Sequence, residues 1–193
     1  MESILKACEG QVQNIFEFAF WTGLRTSELI AVRWQDVDFQ AKKVHIRITR
    51  TTQGEKYRGK TITSLRAIDL NPPARDALLR QKTYTEGKVS VFENPHTGQP
   101  WKDHAPLRRT AWQPALEKAG VRYRCPYQTR HTYASMHLSA GAEPMYVAAQ
   151  MGHRDWGMIR KVYGRWLPEY SESQQTRISK LWEPQGHPKD AAA

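Results

Sequence analysis

Cysteine is scarce in this chain. Cys8 and Cys125 stand far apart and outside any C-x-x-C pair. That spacing argues against a disulfide framework or a cysteine-bound zinc site, and both residues are read as reduced thiols. Long apolar runs are missing as well. The segment IFEFAFWTGL, 15–24, is broken by Glu17 and has no basic stretch before it. Neither a membrane span nor a secretion signal is therefore expected. Acidic residues are few, 19 Asp and Glu against 29 Lys and Arg, for a formal net charge of +10 over 193 residues. No Asp/Glu cluster has metal-ligand spacing, and no internal repeat or low-complexity tract occurs.

What is present describes a folded domain. Hydrophobic residues make up 39% and charged residues 25% of the chain, enough for a core and too apolar for a disordered protein. The positive excess favours a polyanion, most commonly nucleic acid, over a basic surface kept for solubility. Helical spacing of Val12, Ile15, Phe16, Ala19 and Phe20 predicts a helix over 9–21. Further helices are expected from Arg25 to Val32, after Asn71-Pro72-Pro73, over 107–118 despite Pro114, over 129–138 and 143–150, and from Asp155. Period-two patterns predict strands at 44–48 and 61–70, with a short one at 89–92. The fold class expected is α+β, mostly helical, with a small antiparallel sheet of about three strands on one side. The segment 184–193 is expected to be a disordered tail.

The string GEKYRGKT, 54–61, fits the phosphate-cradling pattern G-x-x-x-x-G-K-[ST]. That pattern works only when a helix N-terminus follows it. Here the next segment, TITSLRAIDL, is rich in β-branched residues and stops at a double proline, so it reads as the second strand of a hairpin. ATP or GTP hydrolysis is excluded on that ground, and any phosphate met by Lys60 is of another kind.

Three strings carry the chemistry: GLRTSEL at 23–29, YQTRHTYAS at 127–135 and QMGH at 150–153, with Tyr163 ten positions beyond His153. In order and spacing they resemble the catalytic domain of the tyrosine recombinase (phage integrase) family, whose strings are G-L-R-x-S-E-L, H-x-L-R-H-T-F-A and L-G-H followed by a nucleophilic tyrosine. The resemblance implies that Arg25 and Arg130 are the catalytic arginines and that Glu28 supports Arg25. It places His153 at the histidine-or-tryptophan position and makes Tyr163 the nucleophile. GKTITSLRAIDL is similar to the family's T-K-T-x-x-S-x-R-x-V-P-L strand, which puts Lys60 in the role of hairpin lysine, with Lys56 and Arg58 competing for that role or gripping the DNA backbone. Tyr127 departs from the family's histidine. A phenol can donate to a phosphate oxygen but is a poor base near neutral pH.

The implied activity is site-specific cleavage and rejoining of double-stranded DNA through a 3′-phosphotyrosyl link, requiring neither ATP nor metal, with further recombinase protomers assembling as a tetramer. The expected domain spans 1–183, without the family's N-terminal core-binding and arm-binding domains, and would work in the nucleoid-associated cytoplasm of a bacterial or phage-infected cell. Elementary chemistry agrees. Two guanidiniums hold the extra charge of a pentavalent phosphorus, and a covalent intermediate divides one transfer into two reversible ones. Plainer readings stand beside this one. Arg25 and Glu28 can form an i,i+3 surface pair, Tyr163 can pack with Met158 and Ile159, and His131, Trp156 and Trp166 are read as structural. At the level of function, two alternatives remain: topoisomerase-like nicking and relaxing, and a non-catalytic DNA-binding domain of the same fold.

Overall fold

A computed structural model describes residues 1–57, 66–153 and 157–166. Two helices open the chain, α1 (Glu2–Ala7) and α2 (Gly10–Thr22). On α2, Ile15, Phe16, Phe18, Ala19 and Phe20 are all buried, so this helix runs through the middle of the core rather than along its surface. Gly23 ends it at φ 62, and a Cβ there would sit 2.5 Å from Cδ1 of Tyr133. Only glycine meets both the left-handed backbone and the close approach. A single helical turn, α3 (Thr26–Leu29), follows.

The strands are β1 (Val37–Asp38), β2 (Lys43–Ile46), β3 (Ile48–Thr51), β4 (Gly54–Tyr57) and β5 (Arg66–Asp69). A three-stranded antiparallel sheet has the order β1-β2-β5, with Val44 opposite Ile68 and Ile46 opposite Arg66. The expected pairing is thus present where it is described, between Lys43–Ile46 and Arg66–Asp69, with 61–65 outside the described residues, and two features differ. The first strand breaks at Arg47, and the expected polar turn contains a second hairpin, β3–β4. That hairpin has no apolar alternation to betray it. It is held by polar contacts instead: Arg50 donates to the carbonyls of Ile30 and Trp101, and Glu55 pairs with both Arg50 and Arg33. Arg58 and Lys60 lie outside the described residues.

Helix α4 (Pro72–Thr85) starts as expected: Asn71 caps it by accepting from the Ala74 N–H, and the prolines occupy positions that need no donor. The strand expected at 89–92 is a correction. Val91 and Phe92 are buried, but the segment makes one isolated bridge, Ser90 to Arg33, and the paired strands are β6 (Glu93–Asn94) and β7 (Gln99–Pro100). The apolar run marked burial, not pairing. The helix expected over 107–118 is composite: α5 (His104–Leu107) passes through a π turn, Arg108–Trp112, into α6 (Gln113–Lys118). Pro114 has no N–H to offer one turn back, and the wide turn closes before it, from the Gln113 N–H to the Arg108 carbonyl.

The last helices are α7 (Gln128–Ser139), α8 (Pro144–Met151) and α9 (Gly157–Tyr163), the last leading into a 3-10 turn, Gly164–Trp166. Trp166, read as a packing residue, is partly buried against the cluster formed by these helices, while Trp156 lies outside the described residues. Buried apolar side chains form two clusters among the described residues. The larger joins α1, α2, the three-stranded sheet, α4 and α6; the smaller, which includes Tyr133, Leu138, Val147, Met151, Ile159 and Tyr163, belongs to α7, α8 and α9. Between them runs a polar seam. Among the described residues no helix is long and apolar enough to cross a membrane. The tail expected at 184–193 lies outside the described residues.

Candidate active site

The seam is organised by the C-terminus of α8. Helix ends leave carbonyls without intrahelical donors and carry partial negative charge, so they attract cations. Three consecutive carbonyls here face three arginines from distant parts of the chain. Gln150 O accepts from Arg66 Nε at 3.1 Å, Met151 O from Arg130 Nη2 at 2.7 Å, and Gly152 O from Arg25 Nη2 at 3.5 Å. Gly152 takes the left-handed conformation at φ 66, and the His153 N–H returns to the Ala148 carbonyl, the bond that closes a Schellman cap. The string QMGH is therefore a helix ending, and it sets His153 directly beside the arginines.

Arg130 is fully buried on α7. Its Nη1 donates to the Gly23 carbonyl at 2.7 Å, and its Nη2 also lies 2.8 Å from His153 Nε2. Because a guanidinium only donates, His153 Nε2 accepts, and the ring is neutral with its hydrogen on Nδ1. Burial, then the neighbouring charge of Arg25, brings the Arg130 pKa down to about 10, which leaves it charged at neutral pH. Arg130 Nε has no hydrogen-bond partner among the described residues. Arg25, with 31% of its side chain exposed, is the accessible member of the pair.

Glu28 joins Arg25 to a residue the sequence reading passed over. Its carboxylate accepts from Arg25 Nη1 at 3.0 Å and from the Arg25 backbone N–H at 2.9 Å, and it receives both Arg66 Nη1 at 3.1 Å and Nη2 at 2.8 Å. Glu28 is buried, so this is no surface i,i+3 pair. Burial alone would raise its pKa, but the hydrogen bond and charge of Arg66, then those of Arg25, bring it down to about 2. Arg66 stands two residues before Ile68 on β5, in the core-facing register of that strand. An arginine in phase with Ile68 and Leu70 was the signal available in the sequence.

The hydroxyl of Tyr163 lies 2.7 Å from His131 Nδ1, and the residue is 3% exposed. Burial pushes the Tyr163 pKa up to about 12, with Arg130 opposing and Tyr127 adding to the rise. Helical spacing explains the grouping: Tyr127, Arg130 and His131 stand at i, i+3 and i+4 at the start of α7. The Tyr127 ring, 40% exposed, has its centroid 6.0 Å from the Arg130 guanidinium carbon and 5.2 Å from the His131 ring. Of the expected site residues, Arg25, Glu28, Arg130, His153, Tyr163 and Tyr127 are brought together. Lys56 is exposed on β4, where it donates to Gln53. His131, expected to be structural, touches the Tyr163 hydroxyl; its place four residues after Tyr127 was the available sign.

An open cleft of about 410 Å³ adjoins Arg25, lined also by Thr26, Ser27, His104, Arg108 and Tyr127. Among the described residues no carboxylate lines it. Its polar groups are guanidinium, imidazole and hydroxyl, set in a lining that is otherwise mostly apolar and includes Cys125 and Pro126. Among the described residues, no group of three or more His, Cys, Asp or Glu side chains is placed to hold a metal ion.

Comparison with known proteins places these features. The model of the phage integrase family matches residues 1–168. Prophage integrase IntR of Escherichia coli K12 is 30% identical over 195 aligned positions, covering 89% of this chain and 47% of that protein. The integrase of Salmonella phage P22 is 27% identical, covering 93% of this chain and 45% of its own length. The chain thus spans about half the length of the curated relatives it matches. Among solved structures, the Tn1549 transposon integrase in complex with a circular intermediate DNA superposes with a TM-score of 0.72 at 20% identity, covering 93% of this chain and 63% of that one. The catalytic domain of bacteriophage HP1 integrase gives 0.65 at 16% identity, covering 96% and 94%. The fold is that of tyrosine recombinase catalytic domains, and the chain belongs to the phage integrase family.

Proposed function

We propose that this chain is a DNA strand-transferase domain in which Tyr163 attacks a backbone phosphate and Arg25 and Arg130 hold the non-bridging oxygens. The observation that carries this reading is the gathering of both arginines and His153 on one helix end, with the Tyr163 hydroxyl held by the residue next to Arg130. Attack forms the Tyr163 Oη–P bond and breaks the bond from phosphorus to the 5′-oxygen, which takes a proton from a general acid, Lys60 by the family resemblance. Religation reverses each transfer, and the phosphotyrosine conserves the bond energy. Each preorganised cation on the phosphorane is worth roughly 10²–10³ in rate. Glu28 and Arg66 orient Arg25, and the Tyr127 hydroxyl donates to the phosphate once the ring moves aside from Arg130. Double-stranded DNA is the substrate, and further protomers, four in a synapse, are the expected partners. Residues 1–183 form the catalytic domain, working in the cytoplasm.

The test incubates the protein in EDTA with nicked duplexes of randomised sequence and looks for a protein–DNA adduct that survives denaturant. An adduct that disappears in Tyr163→Phe supports the reading; cleavage appearing only with magnesium, or an adduct persisting in that variant, overturns it. The full burial of Arg130 favours a second reading, a domain that binds DNA without cutting it. Retardation of the duplex with no adduct would select that one. Relaxation and strand-exchange assays then separate a nicking enzyme from a recombinase.

A further inference from the structure

We propose that His131 is the proton acceptor for Tyr163: its Nδ1 takes the phenolic hydrogen as the tyrosine oxygen attacks phosphorus. The inference rests on the strand-transfer reading and assigns a role that neither the family strings nor the comparisons give to this residue.

The geometry is direct. A buried hydroxyl must place its hydrogen on an acceptor, and among the described residues His131 Nδ1, at 2.7 Å, is the acceptor in reach of Tyr163 Oη. With the phenol donating, Nδ1 carries the lone pair and the hydrogen of the neutral ring is on Nε2. Among the described residues the groups facing this pair are few. Tyr127, at the N-cap of α7, lies edge-on to His131, Arg130 is adjacent on that helix, and the Trp166 ring, with Arg165 over it, has its centroid 5.9 Å from that of Tyr163. No carboxylate faces His131 in these contacts. Burial and then the charge of Arg130 lower the His131 pKa below the ordinary histidine value, so the imidazole is neutral and able to accept at physiological pH.

A free phenol with so high a pKa cannot lose its proton to such an imidazole before reaction. Transfer accompanies attack, when the phosphate gains negative charge and the guanidiniums are partly neutralised. The proton balance closes in both directions. In cleavage, Oη bonds to phosphorus, its hydrogen moves to Nδ1, and the 5′-oxygen leaves with a proton from the general acid. In religation, the 5′-hydroxyl returns that proton and attacks, and the departing tyrosine oxygen recovers its hydrogen from Nδ1. The departure at Tyr127 leaves His131 as the histidine of the string YQTRHTYAS. Of the two histidines in the family string H-x-L-R-H, this chain keeps the one that follows the arginine, His131, and it is the one that reaches the Tyr163 hydroxyl.

The test compares wild type with His131→Asn and His131→Ala on the nicked randomised duplexes, following adduct formation between pH 5 and 9. Asparagine keeps a hydrogen-bond acceptor of similar size but cannot take the proton. The wild-type rate is expected to rise with pH through the titration of His131, below 6.5, and then level off. His131→Asn should keep the wild-type melting temperature and DNA affinity, form adduct about 10²-fold more slowly and lose the rising limb. Added imidazole should partly restore His131→Ala. Wild-type rates in His131→Asn, or slower rates with the limb intact, overturn the inference and leave strand transfer standing. Wild-type protein that forms no adduct overturns both.

Discussion

At the scale of single residues, the decisive feature is a buried carboxylate. Glu28 is 1% exposed and receives two guanidiniums. Its pKa falls from an ordinary 4.5 to about 2, so its contribution to stability is complete above pH 4.5 and is lost as pH drops toward 2. A shift of that size corresponds to about 3 kcal/mol. Glu28→Gln should therefore unfold at clearly lower denaturant concentration at pH 7, by about 3–5 kcal/mol, because Arg66 is left buried with a neutral partner. The difference from wild type should shrink steadily between pH 4.5 and 2. A gap independent of pH would show that Glu28 acts through shape, not charge. The strings GLRTSEL and YQTRHTYAS made Arg25, Glu28 and Arg130 legible, since their residue types and order are specific. Arg66 and His131 carried weaker signs, a core-facing register and a helical spacing, because a strand arginine or a helix histidine is ordinarily a surface residue, and only tertiary packing revealed what each one touches.

At the scale of elements, helix endings do more than close helices. The cap at Gly152 presents the carbonyls of Gln150, Met151 and Gly152 to the seam, and a Cβ at Gly152 would stand 2.6 Å from Arg66 Nη1. Gly152→Ala should thus combine left-handed strain of about 1–2 kcal/mol with displacement of the Arg66 guanidinium from Glu28. A total loss of about 2–4 kcal/mol in a urea melt is expected, and a loss under about 0.5 kcal/mol would mean the cap tolerates a side chain. Gly23 and Gly152 were readable as breaks after helices, and Asn71-Pro72-Pro73 as a start, because capping chemistry is local. The β3–β4 hairpin was hidden because its strands, Ile48–Thr51 and Gly54–Tyr57, show no buried alternation, and its anchors at Ile30 and Trp101 are distant in sequence. The π turn before Pro114 was hidden because the apolar spacing of 107–118 is compatible with an unbroken helix.

At the scale of the whole molecule, the net charge of +10 and the cleft beside Arg25, with Arg108 and His104 in its lining, are the features that bear on the proposed binding of DNA. Each cation neutralising a phosphate contributes about 0.9 to the slope of log affinity against log salt. Arg108→Gln, in that cleft, should weaken duplex binding and reduce the slope by about 0.9, with equal effect on unrelated sequences. An unchanged slope in a salt titration would place the DNA path elsewhere. The α+β class and the mostly helical content were legible from periodicity alone. The division of the core into two apolar clusters was not, since nothing in the spacing of Tyr133, Val147 or Ile159 tells which neighbours they share.

That division has a practical outcome. The guanidiniums of Arg25, Arg66 and Arg130 are the rivets joining the two clusters, and Arg25 and Arg130 are also the pair proposed to hold a phosphate. Replacing any of them should lower the yield of intact protein alongside turnover. A mutational screen scored on recombinant product alone would count misassembled molecules as chemically dead ones, so each rate needs dividing by the folded fraction before a role is assigned.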